Sequence, residues 1–210
     1  MTISDTLAHR QALRRYLRAA RNNLQGFDRL FRQQRILTHL TQSIAWQASR
    51  HVALYLPHDG EVDLRSLLKQ ARKGSRKTFY LPCLQPDKSL LFAPWQPGRP
   101  LRPNRFGIGE PVTYTRRKAV ALDLILMPLV GFDAAGNRLG MGGGFYDRTL
   151  KHIRHRPGPP LLVGVAFEIQ RCPALPHADW DVPLDCILTE RGLQIPRPNV
   201  GYEDDTWLIG

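Results

Sequence analysis

The residues best suited to chemistry crowd into one stretch. From Arg138 the chain reads RLGMGGGFYDR, so that Gly140, Gly142, Gly143 and Gly144 fall within five positions, just ahead of Phe145, Tyr146 and Asp147. Residues without a Cβ adopt positive φ freely and let another molecule approach the backbone, and successive N–H groups in such a loop can converge on an anion. A helical pattern begins at Phe145, and a helix start adds partial positive charge to that attraction. The chemistry predicted is the cradling of phosphate; the plainer alternative is a glycine-rich turn. Neither familiar phosphate pattern applies. GxxxxGK followed by Ser or Thr is absent, and GxGxxG fails because Phe145 stands where a third glycine would follow Gly140 and Gly142, while the preceding apolar strand stops early, at Pro128.

Two other places carry groups of the right kind. Arg10, Arg14, Arg18 and Arg21 run down one stripe of an N-terminal helix, beside the apolar stripe of Leu13, Leu17, Ala20 and Leu24, which sets them at the edge of its buried face. Guanidinium forks match phosphate oxygens, yet most arginines so placed are solvated or ion-paired, and that is the reading for Arg18 and Arg21. Glu61 lies in PHDGEVD, just past the apolar run Val52 to Leu56. Ligands of open α/β sheets bind beyond the carboxyl ends of strands, so Glu61 is placed either to meet one or to begin a helix as a surface carboxylate. His58 and Asp59 beside it read as loop residues.

The elements that must position these groups alternate. After the first helix, Gly26 precedes a second carrying Leu30, Leu37, Leu40 and Ile44. Short apolar runs follow at Val52 to Leu56, Phe79 to Leu81, Leu90 to Phe92, Leu122 to Met127, Leu161 to Ala166 and Cys186 to Leu188, with helical stretches at Leu64 to Arg72 and Phe145 to Arg154 between some of them. This predicts a single-domain layered α/β fold, a mainly parallel central sheet flanked by helices. Pro94 to Pro111 is expected to be a long loop over the sheet edge. The domain is expected to span residues 1–195, with 196–210 a loose C-terminal extension.

At 210 residues the chain can bury a substantial core. It has no run long enough to span a membrane and no apolar signal core at its N-terminus, which predicts a cytoplasmic protein. Cys83, Cys172 and Cys186 form no CxxC pair and read as reduced structural thiols. The formal charge of +12 is spread along the chain without an aromatic RNA-binding signature. It suits an enzyme that attracts polyanionic substrates, and nucleic acid is not expected as a partner. Zinc is not expected either, because neither HExxH nor a Cys/His cluster is present.

The run GFDAAGNRLGMGGGFYD resembles the signature of the 5-formyltetrahydrofolate cyclo-ligases, also called 5,10-methenyltetrahydrofolate synthetases. That signature reads GFD…G-RLG-x-G-x-G, then an aromatic residue and YD. RQALRRYLRAAR at the N-terminus, FGIGEP from Phe106 to Pro111, and WDVPLDCILTE from Trp180 to Glu190 match further segments in family order. The resemblance implies a fold similar to the sugar-phosphate isomerase and CoA-transferase group. It also implies ATP- and Mg²⁺-dependent cyclisation of 5-formyltetrahydrofolate to 5,10-methenyltetrahydrofolate with release of ADP and phosphate. In that reaction the formyl oxygen takes the γ-phosphoryl group and N10 then closes the ring, which asks a protein for positioning and charge neutralisation rather than a nucleophile.

Residue by residue, the resemblance assigns ATP to Arg10, Arg14, Arg138, Leu139, Gly140, Met141, Gly142, Gly143, Gly144, Phe145 and Tyr146, with Arg138 and Glu61 in catalytic roles. Folate is expected at Leu56 and Glu61, with Met141, Phe145 and Phe92 as further contacts, and Mg²⁺ at Asp147 and Asp185. Met141 and Phe145 depart from the Tyr or Arg and the Tyr common at those places, which removes a polar contact at each. The protein is expected to act as a monomer on small molecules alone. The rivals are a sugar-phosphate or CoA-transferase-like enzyme without ATP, and a basic RNA-binding module.

Overall fold

The computed structural model describes residues 3–68, 76–153, 158 and 160–197. Its helices are α1 (Ile3–Asn23), α2 (Gly26–Gln42), α3 (Ile44–Ala48), α4 (Arg65–Leu68) and α5 (Phe145–Leu150). Its strands begin with β1 (His51–Ala53), β2 (Thr78–Leu84), β3 (Leu90–Pro94), β4 (Leu101–Pro103) and β5 (Gly109–Pro111). They continue with β6 (Leu124–Pro128), β7 (Gly131–Phe132), β8 (Arg138–Leu139), β9 (Leu161–Val165), β10 (Cys186–Thr189) and β11 (Gly192–Gln194).

Seven of these strands make one sheet in the order β11-β10-β9-β6-β1-β2-β3, while β4–β5 and β7–β8 are separate two-stranded ribbons. The five inner strands are parallel, and β3 and β11 close the edges antiparallel. The parallel strands are apolar on both faces because both faces are covered. In β6, Leu124 and Leu126 pack with Val52, Val163 and Leu188 under Ile36, Leu37, Leu40 and Trp46 of α2 and α3. Ile125 and Met127 turn to the other face, with Leu162 and Ile187, under Leu150 and Ile153. This two-residue alternation fixes the register, since a slip of one residue would exchange the two cores.

Three expectations need correction. The apolar stripe read through Leu30 and Ile44 is not buried: these residues are 62% and 83% exposed. The helix stops at Ser43, whose hydroxyl accepts the Trp46 amide and starts α3, so the inward stripe is Ile36, Leu37, Leu40 and then Trp46. Within Pro94 to Pro111 the chain makes the β4–β5 hairpin instead of an open loop. Asn104 organises its tip by accepting the Phe106 and Ile108 amides through Oδ1, and Glu110 pins it to β2 by accepting the Leu84 amide at 3.0 Å. Helix α5 covers Phe145–Leu150, six residues, too short to supply much of the dipole expected of it; the continuation at Arg154 lies outside the described residues. Helix α4 covers Arg65–Leu68, and positions 69–72 lie outside them too.

Pro196 and Arg197, assigned above to the loose extension, are fastened: the Arg197 amide donates to the Ala134 carbonyl at 3.0 Å. The remainder, 198–210, lies outside the described residues. The three cysteines are buried and free, and burial raises the Cys83 thiol to about 11. No helix among the described residues is long and apolar enough to cross a membrane.

Candidate functional site

Beyond the carboxyl end of β1 the chain makes a tight turn at His58–Glu61. The Glu61 amide donates to the His58 carbonyl at 3.1 Å, and Asp59 and Gly60 both take positive φ, 49° and 76°. Asp-Gly is the dipeptide that tolerates this mirror-image turn. The turn rests on α1 so closely that a Cβ at Gly60 would lie 1.9 Å from Asn22 Oδ1. Asp59, read as a loop residue, is the anchor. Its carboxylate accepts from Arg18 Nε (2.6 Å), Arg21 Nη2 (2.9 Å) and Asn22 Nδ2 (3.2 Å), and the Arg18 bond above all holds it at about 2. Arg18 and Arg21 are thus ion-paired, as the sequence reading has them.

Glu61 has no such cation on its carboxylate. Among the described residues its carboxylate accepts only the His58 amide, through Oε2 at 3.1 Å, and burial raises it to about 7 against the opposing pull of that bond and of Arg21. The hydroxyls of Tyr55 and Tyr146 are raised first by burial and next by the charge of Glu61, so the carboxylate and the first turn of α5 share one buried neighbourhood. The Tyr55 hydroxyl is buried and has no hydrogen-bond partner among the described residues.

The glycine loop leaves β8 and is held by its carbonyls. Arg14 Nε donates to Gly140 O at 2.8 Å, Arg148 Nη2 donates to Gly143 O, and the Arg148 amide to Gly144 O at 3.0 Å. Among the described residues, no N–H of Gly140 to Gly144 donates to any of these partners or to another acceptor. Gly142 and Gly144 take φ of 99° and 65°, where a side chain would be strained. The result is a strap with its carbonyls engaged by arginines and its amides uncommitted, which is what an anion cradle requires. Burial and then the neighbouring Arg10 lower Arg14, a sign of two cations sharing one place.

Arg138 lies beneath the strap, 8% exposed, in an ion pair with Asp147 Oδ1; its guanidinium is 6.0 Å from the Tyr146 ring centre, and its buried Nε has no hydrogen-bond partner among the described residues. Asp147 Oδ1 also accepts the Val182 amide at 3.1 Å. Arg10 pairs with Asp181 at 2.8 Å. Around the rim, Phe145 meets Phe106 of the hairpin edge-on at 5.8 Å, and Arg105 lies over both rings. A Cβ at Gly109 of the hairpin would lie 3.4 Å from Leu56 Cδ1, and Met141 is 48% exposed at the loop tip.

The structure therefore gathers Arg10, Arg14, Arg138, Leu139, the glycines, Phe145, Tyr146 and Asp147, and brings Glu61 to them through Tyr146. Two expected residues do not join. Phe92 has no exposed surface and packs in the core with Tyr80 and Met127, on the inward face of β3. Asp185 stands just before β10, at the amino ends of the parallel strands, where its Oδ2 accepts the Leu162 amide at 2.8 Å. The glycine loop lies beyond the opposite end of β6. Sequence reasoning missed Tyr55, Asp59, Arg105 and Arg148; of these only Asp59 carried a local signal, the Asp-Gly pair.

The sequence pattern of the 5-formyltetrahydrofolate cyclo-ligase family matches residues 6–190, a span that holds every residue of this site. The chain belongs to the 5-formyltetrahydrofolate cyclo-ligase family. The cyclo-ligase of Haemophilus influenzae is 39% identical over 183 residues, covering 85% of this chain and 96% of that protein. That of Escherichia coli K12 is 42% identical over 142 residues, 66% of this chain and 76% of that protein. The solution structure of the Aquifex aeolicus 5,10-methenyltetrahydrofolate synthetase superposes with a TM-score of 0.78 at 32% identity, over 95% of this chain and 99% of that one.

A cyclo-ligase acting on ATP implies Mg²⁺. Asp147 fits a modest role: Oδ1 is engaged by Arg138 and Val182, while Oδ2 carries no hydrogen bond among the described residues. No cluster of three or more His, Cys, Asp or Glu side chains able to hold a metal occurs among them. One carboxylate suffices where nucleotide phosphates and water complete the shell.

Proposed function

We propose that the protein cyclises 5-formyltetrahydrofolate to 5,10-methenyltetrahydrofolate with ATP and Mg²⁺, releasing ADP and phosphate. The observation that carries this reading is the meeting of two unlike half-sites. A strap of uncommitted amides braced by Arg14 and Arg148 suits phosphate oxygens. A half-buried carboxyl raised to about 7, Glu61, suits a nitrogen heterocycle, because it can accept or donate a hydrogen bond near neutral pH. Tyr146 joins the two.

In this reading Arg14 and the strap hold the triphosphate, with Arg10 beside them. Arg138 acts from beneath by fixing Asp147 and Tyr146, and its charge faces the place where phosphoryl oxygens gather. Mg²⁺, held by Asp147, would neutralise phosphate charge. Leu56, Met141 and Phe145 line the folate side, with Phe106 as a further wall. Phe92 shapes the core behind them. The reading carries with it a cytoplasmic monomer that works on small molecules alone, its basic charge attracting anions.

The test supplies 5-formyltetrahydrofolate and MgATP to the purified protein and follows ADP and the methenyl product together. Equal amounts of both are expected. ADP without methenyl product, or neither, overturns the reading.

A further inference from the structure

Arg21 heads the fully buried side chains by size, 1% exposed. A buried guanidinium is costly, and an apolar side chain of like volume often leaves a fold more stable, so its presence calls for a reason. Its bonds join three segments. From α1 it donates through Nη1 to Leu129 O (3.2 Å), just past the carboxyl end of β6, and through Nη2 to Asp59 O (2.5 Å) and Asp59 Oδ2 (2.9 Å) in the turn that carries Glu61. The Leu129 side leads to the strap through Val130 and Leu139. Gln170 Nε2 also holds the carbonyls of Leu129 and Val130, at 2.8 and 3.0 Å, and the Val130 amide donates at 2.7 Å to Leu139 O, one residue before Gly140.

We propose that Arg21, acting with Asp59, is a positioning residue for the reaction: it fixes the spacing between the Glu61 turn and the glycine strap, so that the two bound substrates meet in register. What each half-site holds rests on the cyclo-ligase reading; the mechanical link does not. Arg18 binds the same carboxylate at 2.6 Å, so when Arg21 is shortened the turn keeps that anchor on α1, loosened by the loss of the two Arg21 bonds to Asp59, while the tie across to Leu129 is cut outright. Each half-site should then still bind its own substrate. The reaction between them suffers, because a misplacement of about 1 Å costs on the order of a hundredfold in rate.

The variants are Arg21→Met, similar in volume and uncharged, Arg21→Lys, charged but without the fork, and Asp59→Asn. Arg21→Met is expected to lower kcat by roughly a hundredfold while both KM values stay within about threefold, with Arg21→Lys in between. A general loss of packing would not reproduce the pH behaviour. Glu61 is faced by Arg21 from α1, Arg29 from α2, Tyr55 beyond β1, Tyr146 of α5, and His58, Asp59 and nearby Asp63 of its own loop. Arg21 pulls its titration down and Asp59 pushes it up. The midpoint for Glu61 in kcat/KM for folate should therefore rise in Arg21→Met and fall in Asp59→Asn.

Amide exchange needs no substrate. Arg21→Met should speed exchange at both Glu61 and Val130, whose amides close the two tethered structures, with the slowest core amides unchanged. Should Arg21→Met fail to fold, Arg21→Lys and Asp59→Asn carry the same measurements. The proposal is overturned by near-normal kcat in the folded variants, by a rise in one KM alone, by pH midpoints that move together, or by unchanged exchange at Glu61 and Val130. A wild type without methenyl product would sink the cyclo-ligase reading instead, and the exchange result would still judge the clamp.

Discussion

Replacing Glu61 by Gln should make the protein more stable above neutral pH while impairing its activity. Burial raises the Glu61 carboxyl from 4.5 to about 7 in the fold. A carboxyl raised by folding contributes its full share of stability below its unfolded value, where it is protonated in both states. As pH climbs through the window from 4.5 to about 7, the unfolded chain loses its proton first and the native state is disfavoured. Above that window the loss is complete and level. At about 1.4 kcal/mol per tenfold, the loss is on the order of 3 kcal/mol.

Gln has the same shape, does not titrate, and can still accept the His58 amide that Glu61 accepts at 3.1 Å. Urea unfolding of both proteins from about pH 4 to about pH 8 should show curves that coincide in acid and separate by up to ~3 kcal/mol in favour of the variant. Catalytic efficiency for folate should fall roughly ten- to a hundredfold through the lost charged contact, worth about 1.5–3 kcal/mol. A gap that does not change with pH, or a variant less stable at about pH 8, would mean that Glu61 is solvated or cation-paired and would refute the argument from burial.

Two further outcomes follow from the strap. Arg14→Ala removes both the tie to Gly140 and a phosphate partner, so ATP binding should weaken by roughly 1–3 kcal/mol with the folate KM unchanged; steady-state kinetics in each substrate decide it. Asp147→Asn should raise the Mg²⁺ concentration needed for half-maximal rate, whereas Asp185→Asn should leave the Mg²⁺ titration on the wild-type curve and cost about 1 kcal/mol of stability through the weakened bond to Leu162, and a shift in both titrations would restore Asp185 to the metal site.

The contrast between those two aspartates shows what sequence pattern can and cannot convey. Apolar runs such as LILMP and LLVGV announce strands covered on both faces, and the order of helix and strand then leads to a mainly parallel sheet, because parallel neighbours need a crossover. The glycine strap was readable for a related reason: it works through backbone, and its positive φ at Gly142 and Gly144 is one that side-chain-bearing residues rarely adopt. The β4–β5 hairpin escaped because its strands are three residues each and bear prolines at Pro103 and Pro111. Phe92 misled because an aromatic residue in a strand looks the same whether it faces a ligand or a core.

Charged side chains are harder, since their meaning lies in distant partners. Four arginines share one stripe of α1, and spacing alone ranks them equally. Arg10 finds Asp181, 171 residues away, Arg14 finds the strap, and Arg18 and Arg21 find Asp59. The residue set aside as merely ion-paired, Arg21, is the one whose bonds join the Glu61 turn to Leu129, next to the Val130 that pairs with Leu139 at the start of the strap. An ion pair in a buried place and a functional role are not alternatives: a charge that costs free energy to bury persists where its fork holds loops at a distance the chemistry needs.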